Sequence, residues 1–292
     1  MEGQIVASFG RQFLVKTGKG ATFSCVARRK KGGAACGDRV EIRTAESSGQ
    51  GVIETILPRT ALLHRSDAYR EKLIAANITQ VVIVAAAVPS FSEELINRCL
   101  AAAENQGLKV VIVLNKADLV HSTRAAAEKV GLYRELGYVL LELSAMSDAT
   151  PLLPYLSTQL SVLVGQSGMG KSTIINALLP EANRATASIS IALDTGRHTT
   201  THARLYELDE HSGIIDSPGL QEFGLYHMNN EELAWGFTEF RPYLGQCKFT
   251  DCRHMHEPGC ALSEAVEEGR VSRRRFDSYH RLAVTTRTLP LA

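Results

Sequence analysis

Gly165-Gln166-Ser167-Gly168-Met169-Gly170-Lys171-Ser172 has the residue types and spacing of a phosphate-binding loop. Glycines at such positions let successive backbone amides turn inward around a β-phosphate, and a helix opening at Lys171 adds its positive field. Lys171 is placed to reach the β- and γ-phosphates, and Ser172 to offer its hydroxyl to Mg²⁺. The base must be read elsewhere, because this loop serves ATP and GTP alike. Asn115-Lys116-Ala117-Asp118 has the required chemistry. The Asp118 carboxylate can accept from the N1–H and exocyclic amine of guanine, donors that adenine does not present together, while the Lys116 stem covers the purine face. A Ser144-Ala145 pair after the next strand would add a backbone amide for the guanine oxygen.

Asp216-Ser217-Pro218-Gly219 follows an apolar stretch and fits a second magnesium motif, with Asp216 holding Mg²⁺ through water and the Gly219 amide meeting the γ-phosphate. The hydroxyl-rich Gly196-Arg197-His198-Thr199-Thr200-Thr201 lies where a first switch belongs, and Thr200 is the favoured magnesium ligand among its threonines. Leu220 stands where a water-orienting glutamine often follows the second-switch glycine. His198 is the first candidate for that task, since an imidazole can orient water or take its proton near neutral pH. Gln221, one position off register, and a group supplied by a partner are the alternatives.

Cys247, Cys252, His254 and Cys260 form the Cys₃His set of a closed structural zinc site, and soft sulfur donors disfavour magnesium or calcium. His254 is preferred over His256 as the fourth ligand.

Elements must hold these groups. Short alternating strands at 4–7, 12–16, 21–26, 39–43 and 51–57, separated by glycine turns, predict a small barrel with the OB-fold leading. Near-continuous apolar runs at 81–85, 110–114 and 139–143 alternate with helical stretches at 92–106 and 122–136, and a further strand at 161–164 runs into Gly165. That texture predicts a parallel sheet covered on both faces. Helical patterns resume at 231–237 and 262–268 around the cysteine cluster. The predicted architecture is multidomain α/β: a barrel over 1–66, a nucleotide-binding domain over 67–229 and a helical zinc-binding domain over 230–292.

The net charge of +1 conceals an asymmetry, because residues 1–66 carry eleven Lys and Arg against five Asp and Glu, while 67–229 carry twelve against seventeen. A basic front module, with Arg28-Arg29-Lys30-Lys31 between its third and fourth strands, suits a polyanionic partner such as RNA. Arg273-Arg274-Arg275 on a later helix reads either as an RNA-facing surface or as a solvated helical face. No apolar run approaches the roughly 20 residues that cross a bilayer, and the start has no basic-then-apolar leader, so the expected compartment is the cytoplasm with no membrane partner.

The guanine loop precedes the phosphate loop, the reverse of the usual order, which a circular permutation permits because the site depends on spatial arrangement. The second switch then runs through Glu222-Phe223-Gly224-Leu225 straight into the zinc region, where nucleotide state could move that module. This order, the stretch from Gly165 to Thr173, the switch motifs and Cys247-Lys248-Phe249-x-Asp251-Cys252-x-His254-x-x-Glu257-Pro258-Gly259-Cys260 together resemble the circularly permuted, small-ribosomal-subunit-dependent GTPases of bacteria, the RsgA (YjeQ) family. The resemblance spans essentially the whole chain. It implies a protein that binds the small ribosomal subunit late in assembly, contacts its rRNA and hydrolyses GTP to GDP faster there. It also implies zinc on Cys247, Cys252, His254 and Cys260, and a catalytic role for His198. Gln221 stands where the family is expected to carry arginine. Reading the nucleotide as a mainly structural ligand of an RNA-binding module is the alternative, and a monomer is the expected state.

Overall fold

The computed structural model describes residues 1–28, 33–45, 49–67, 70–180, 203–217, 225 and 228–286. Period-two alternation at the start of the chain produces the barrel. Strands β1 (Glu2–Phe9), β2 (Gln12–Thr17), β3 (Thr22–Ala27), β4 (Arg39–Ala45) and β5 (Gln50–Ile56) pair in the order β1-β2-β3-β5-β4, and β4 returns to β1. The β3–β5 pair is parallel and the rest antiparallel, a closed five-stranded barrel of the OB type. Side chains alternate across a strand, so β2 buries Phe13, Val15 and Thr17 in turn. Ile5, Cys25, Val40, Ile42 and Ile53 fill the same interior.

An unanticipated hairpin follows, β6 (Leu62–Asp67) and β7 (Arg70–Ala76). The division expected between residues 66 and 67 lies inside it. Its apolar residues Leu63, Ile74 and Ala75 belong to the core of the α/β sheet, not to that of the barrel.

The apolar runs form that sheet. Strands β8 (Gln80–Ala86), β9 (Lys109–Asn115), β10 (Val139–Glu142), β11 (Leu160–Val164) and β13 (Gly213–Asp216) lie parallel in the order β10-β9-β8-β11-β13. All of β8 is buried, which explains its unbroken hydrophobic sequence. Helices α1 (Glu93–Asn105) and α2 (Val120–Glu135) make the crossovers, α3 (Leu153–Leu156) is a single proline-limited turn, and α4 (Lys171–Leu178) opens after the phosphate loop.

Strand β12 (Ala203–Glu207) reverses direction beside β13 and on its other edge pairs with β1, placing Ala7 opposite Arg204 and Ser8 opposite Ala203. The barrel and the nucleotide-binding sheet are therefore one hydrogen-bonded surface of eleven strands.

Three α-helices and a 3₁₀ helix (Thr238–Tyr243) complete the described chain: α5 (Asn230–Trp235), capped by Asn229 and Glu232 in a reciprocal capping box, α6 (Ala261–Glu267) and α7 (Arg273–Thr286). Phe237, Phe240, Phe276 and Tyr279 stack edge to face or offset between them. Within the arginine run on α7, Arg273 and Arg274 are exposed, as a solvated face requires, and Arg274 bridges the rim, but Arg275 departs from both sequence expectations: it is 1% exposed and faces α1 and α2. The charge of Arg275 is satisfied by an inward carboxylate, so neither RNA nor solvent is the partner of that residue.

Candidate guanine nucleotide site and metal cluster

The phosphate loop leaves β11 at Gly165 and enters α4 at Lys171, with Gly165, Gly168 and Gly170 all at positive φ. Glycine is required at two of these positions on spatial grounds as well. A Cβ at Gly165 would collide with the Val84 carbonyl oxygen, and one at Gly170 with the Asn115 side chain. Lys171 Nζ donates to the carbonyls of Gly165 at 2.6 Å and Gln166 at 2.9 Å, folding the ammonium over the loop. Burial lowers its pKa, and Asp216 opposes that shift. Asp216 ends β13 in register with Leu163 of β11, which brings the second magnesium motif beside the phosphate loop. Burial raises its carboxyl pKa against the pull of Lys171.

Asn115, 2% exposed, joins three loops through one amide. Its Nδ2 donates to the Met169 carbonyl at 2.9 Å, and its Oδ1 accepts from the Ala145 N–H at 2.9 Å. The guanine loop, the phosphate loop and the Ser-Ala pair are thus brought together despite their permuted order. Lys116 adopts φ 63° and donates from Nζ to the Val88 carbonyl, while Ala117 N–H binds the Leu143 carbonyl. Thr123 Oγ1 shares its one proton between the carbonyls of Leu119 at 2.9 Å and Lys116 at 3.3 Å and so ties the loop to α2. Gln166 accepts from the Ser92 N–H at 2.6 Å, a contact with the N-cap of α1 that sequence reasoning did not foresee.

The residues present fit a guanine nucleotide. Two glycines keep the cradle open, and the buried Ser144 Oγ has no hydrogen-bond partner among the described residues. Asp118 is exposed at the loop's end. Gly196, Arg197, His198, Thr199, Thr200, Thr201, Pro218, Gly219, Leu220 and Gln221 lie outside the described residues.

The second site gathers Cys247, Cys252, His254 and Cys260, whose ligand atoms all lie within 4.8 Å of one another. His254 Nδ1 is 3.4 Å from the sulfurs of Cys247 and Cys260 and 3.7 Å from that of Cys252. These separations are close to the roughly 3.6–3.8 Å edges of a tetrahedron with zinc bond lengths, so the donor set fits zinc. His256 is exposed and packs its ring on His280, which makes His254 the imidazole of the cluster. Burial lowers the His254 pKa and favours the neutral ring that ligates. Glu257, missed as a functional residue, accepts from the N–H groups of Arg253, Met255 and His256, holding the turn that carries His254 at φ 57°. Its place three residues after the histidine was the available signal.

Similarity to known proteins follows this geometry. The family model described as RsgA GTPase matches residues 56–226. The small ribosomal subunit biogenesis GTPase RsgA of Nitrosospira multiformis is 65% identical over 99% of this chain and 92% of its own length. The protein of that name from Nitrosomonas europaea is 56% identical over 97% of this chain and 90% of its own. Among solved structures, YjeQ from Thermotoga maritima superposes with a TM-score of 0.75 at 30% identity, covering 99% of both chains. YloQ, described as a circularly permuted GTPase, gives 0.70 at 26% identity, covering 98% of this chain and 94% of its own. With its loops reassembled around Asn115 in permuted order, the chain belongs to the RsgA GTPase family.

Proposed function

We propose that this chain hydrolyses GTP in the late assembly of the small ribosomal subunit, binding the subunit and its rRNA and coupling hydrolysis to release. The observation that carries the nucleotide reading is the Asn115 amide, which closes the guanine loop on the phosphate loop and on Ala145. Similarity to relatives named small ribosomal subunit biogenesis GTPase supports the choice of partner.

In this reading Asp118 recognises guanine with Ser144 and Ala145 bordering the base, the Ala145 N–H being held by Asn115; Lys116 and Ala117 shape its slot, and Gly165, Gln166, Ser167, Gly168, Met169 and Gly170 wrap the phosphates with their amides. Lys171 leaves its own carbonyls for the β- and γ-phosphates, an exchange favoured by its partial desolvation. Ser172, Thr200 and Asp216 hold magnesium, and Thr173 and Gly219 complete the phosphate shell. Bound magnesium supplies a positive charge that stabilises the phosphoryl oxygens during transfer. His198 orients the attacking water. One structural zinc sits on Cys247, Cys252, His254 and Cys260.

The proposed modules are a barrel over 1–66 that meets rRNA through its basic surface, the GTPase domain over 67–229 and the zinc domain over 230–292, with the β6–β7 hairpin that straddles the first boundary packed on the GTPase side. The protein acts as a cytoplasmic monomer; among the described residues no helix is long and apolar enough to cross a membrane.

The test measures GTP hydrolysis with and without purified small subunits, in wild type and His198→Ala. Stimulation by the subunit, with turnover lost and GDP affinity retained in the variant, is expected. Retained nucleotide without stimulation would favour an RNA-binding module with a structural nucleotide, and unchanged turnover in His198→Ala would remove that residue's role.

A further inference from the structure

We propose that helix α7 sets guanine selectivity from behind the nucleotide site through a buried polar relay, so that Arg275, Asn97 and Tyr133 are positioning residues for Asp118. The inference rests on the reading of Asp118 as the guanine-binding carboxylate.

The relay begins at Arg275, whose guanidinium is buried with its carbon 4.2 Å from the centroid of the Phe237 ring. It grips Glu239 with two nitrogens, at 2.6 and 3.1 Å, and gives its third to Asn97 Oδ1. The same oxygen accepts from the Tyr133 hydroxyl at 2.9 Å, and Asn97 Nδ2 donates to Ser278 Oγ at 2.6 Å. One side-chain amide, 3% exposed, therefore joins α1, α2 and α7. Buried polar groups of this kind hold one geometry, because any displacement leaves a donor, an acceptor or a charge unpaired. Arg274 reinforces the joint at the rim, reaching Glu93 in the first turn of α1 and the Lys129 carbonyl on α2.

Both helices held by this joint lead to the nucleotide loops. Helix α2 begins directly after the guanine motif, and Thr123 in its first turn binds the Lys116 carbonyl. Thr123, Ala126, Val130 and Tyr133 are its buried positions, all on one face. From Val120 to Tyr133 this is a stiff rod of about 20 Å. The hydroxyl at its far end fixes its rotation, and hence the aim of Asp118. Helix α1 is capped at its N-terminus by Ser92, whose N–H is bound to Gln166 of the phosphate loop. The zinc-bearing end of the chain thereby braces the base-reading loop through α2, while the phosphate grip depends mainly on backbone amides of its own loop.

That separation defines the test. Inosine diphosphate has the phosphates and N1–H of GDP but lacks the exocyclic amine that the second Asp118 oxygen would accept. Dissociation constants for the two diphosphates are measured on the full-length chain in wild type, Tyr133→Phe and Arg275→Met, with thermal midpoints as a control for folding. Tyr133→Phe removes only the α2 hydroxyl and leaves Arg275 paired with Glu239 and Asn97. The preference for GDP should fall about three- to tenfold in Tyr133→Phe, the effect of one misplaced hydrogen bond, and nearly all of the loss should be in GDP affinity. Arg275→Met should lower it at least as far; if that variant does not fold, Tyr133→Phe decides. An unchanged preference in folded Tyr133→Phe, or equal weakening of both diphosphates, would overturn the proposal and leave the cluster a purely structural role. A wild-type protein that binds both equally would overturn the reading of Asp118 itself, and the relay with it.

Discussion

Asn115 shows how a single amide can replace chain order as the organiser of a site. Its two polar ends hold Met169 and Ala145, which lie far from it in sequence and adjacent in space. In Asn115→Ala the Ala145 N–H and the Met169 carbonyl both lose their partner, at about 1–3 kcal/mol for each group left unsatisfied. GDP affinity measured by equilibrium titration is expected to drop at least about tenfold, while the fold is retained because the surrounding strands do not depend on this side chain. An affinity within a factor of about two of wild type would mean that the loops assemble without it. At this scale the nucleotide motifs were legible in the sequence, since each is a local run whose chemistry depends on residue type and spacing. The choice between His254 and His256 was less so. It is settled by the turn, where positive φ at His254 directs Nδ1 at three sulfurs and leaves His256 outside.

Among the elements, β12 links the barrel to the GTPase sheet. It pairs with β13 on one side and meets β1 of the barrel on the other. Leu205, 8% exposed, buries this strand in the main core. Leu205→Ala should cost about 2–4 kcal/mol through lost burial and the remaining cavity, seen as a lower urea midpoint. Lys16→Ala, which removes the ion pair between β2 and Glu207, should cost under about 1 kcal/mol, because both side chains are more than a third exposed and solvent screens the pair. A reversed ranking would mean that the strand is held by charge instead of burial. Neither β12 nor the β6–β7 hairpin was legible beforehand. Ala203–Glu207 and Leu62–Asp67 are short and carry charge, and their strand character comes from pairing, of β12 with β13 and the distant β1 and of β6 with the next strand, β7, more than from local pattern.

For the molecule as a whole, permutation places the second switch upstream of the zinc domain. Leu225 and Met228, on that path, are buried in the same core as α1 and α5. Exchange of GDP for a non-hydrolysable GTP analogue is therefore expected to change hydrogen-exchange protection across residues 225–260, read by mass spectrometry; identical protection in the two states would show that the zinc domain does not follow the γ-phosphate. The sequence by itself determined the barrel, the parallel sheet, the nucleotide motifs and the cysteine donors, because periodicity and motif spacing are local properties of the chain. Only the tertiary structure decided how these parts are joined. It turned Arg275 from an expected surface cation into a buried link, since Glu239 and Asn97 compensate its charge across three helices. It also merged two predicted domains into one sheet through β1 and β12. Both outcomes depend on partners far apart in the chain, which no local pattern specifies.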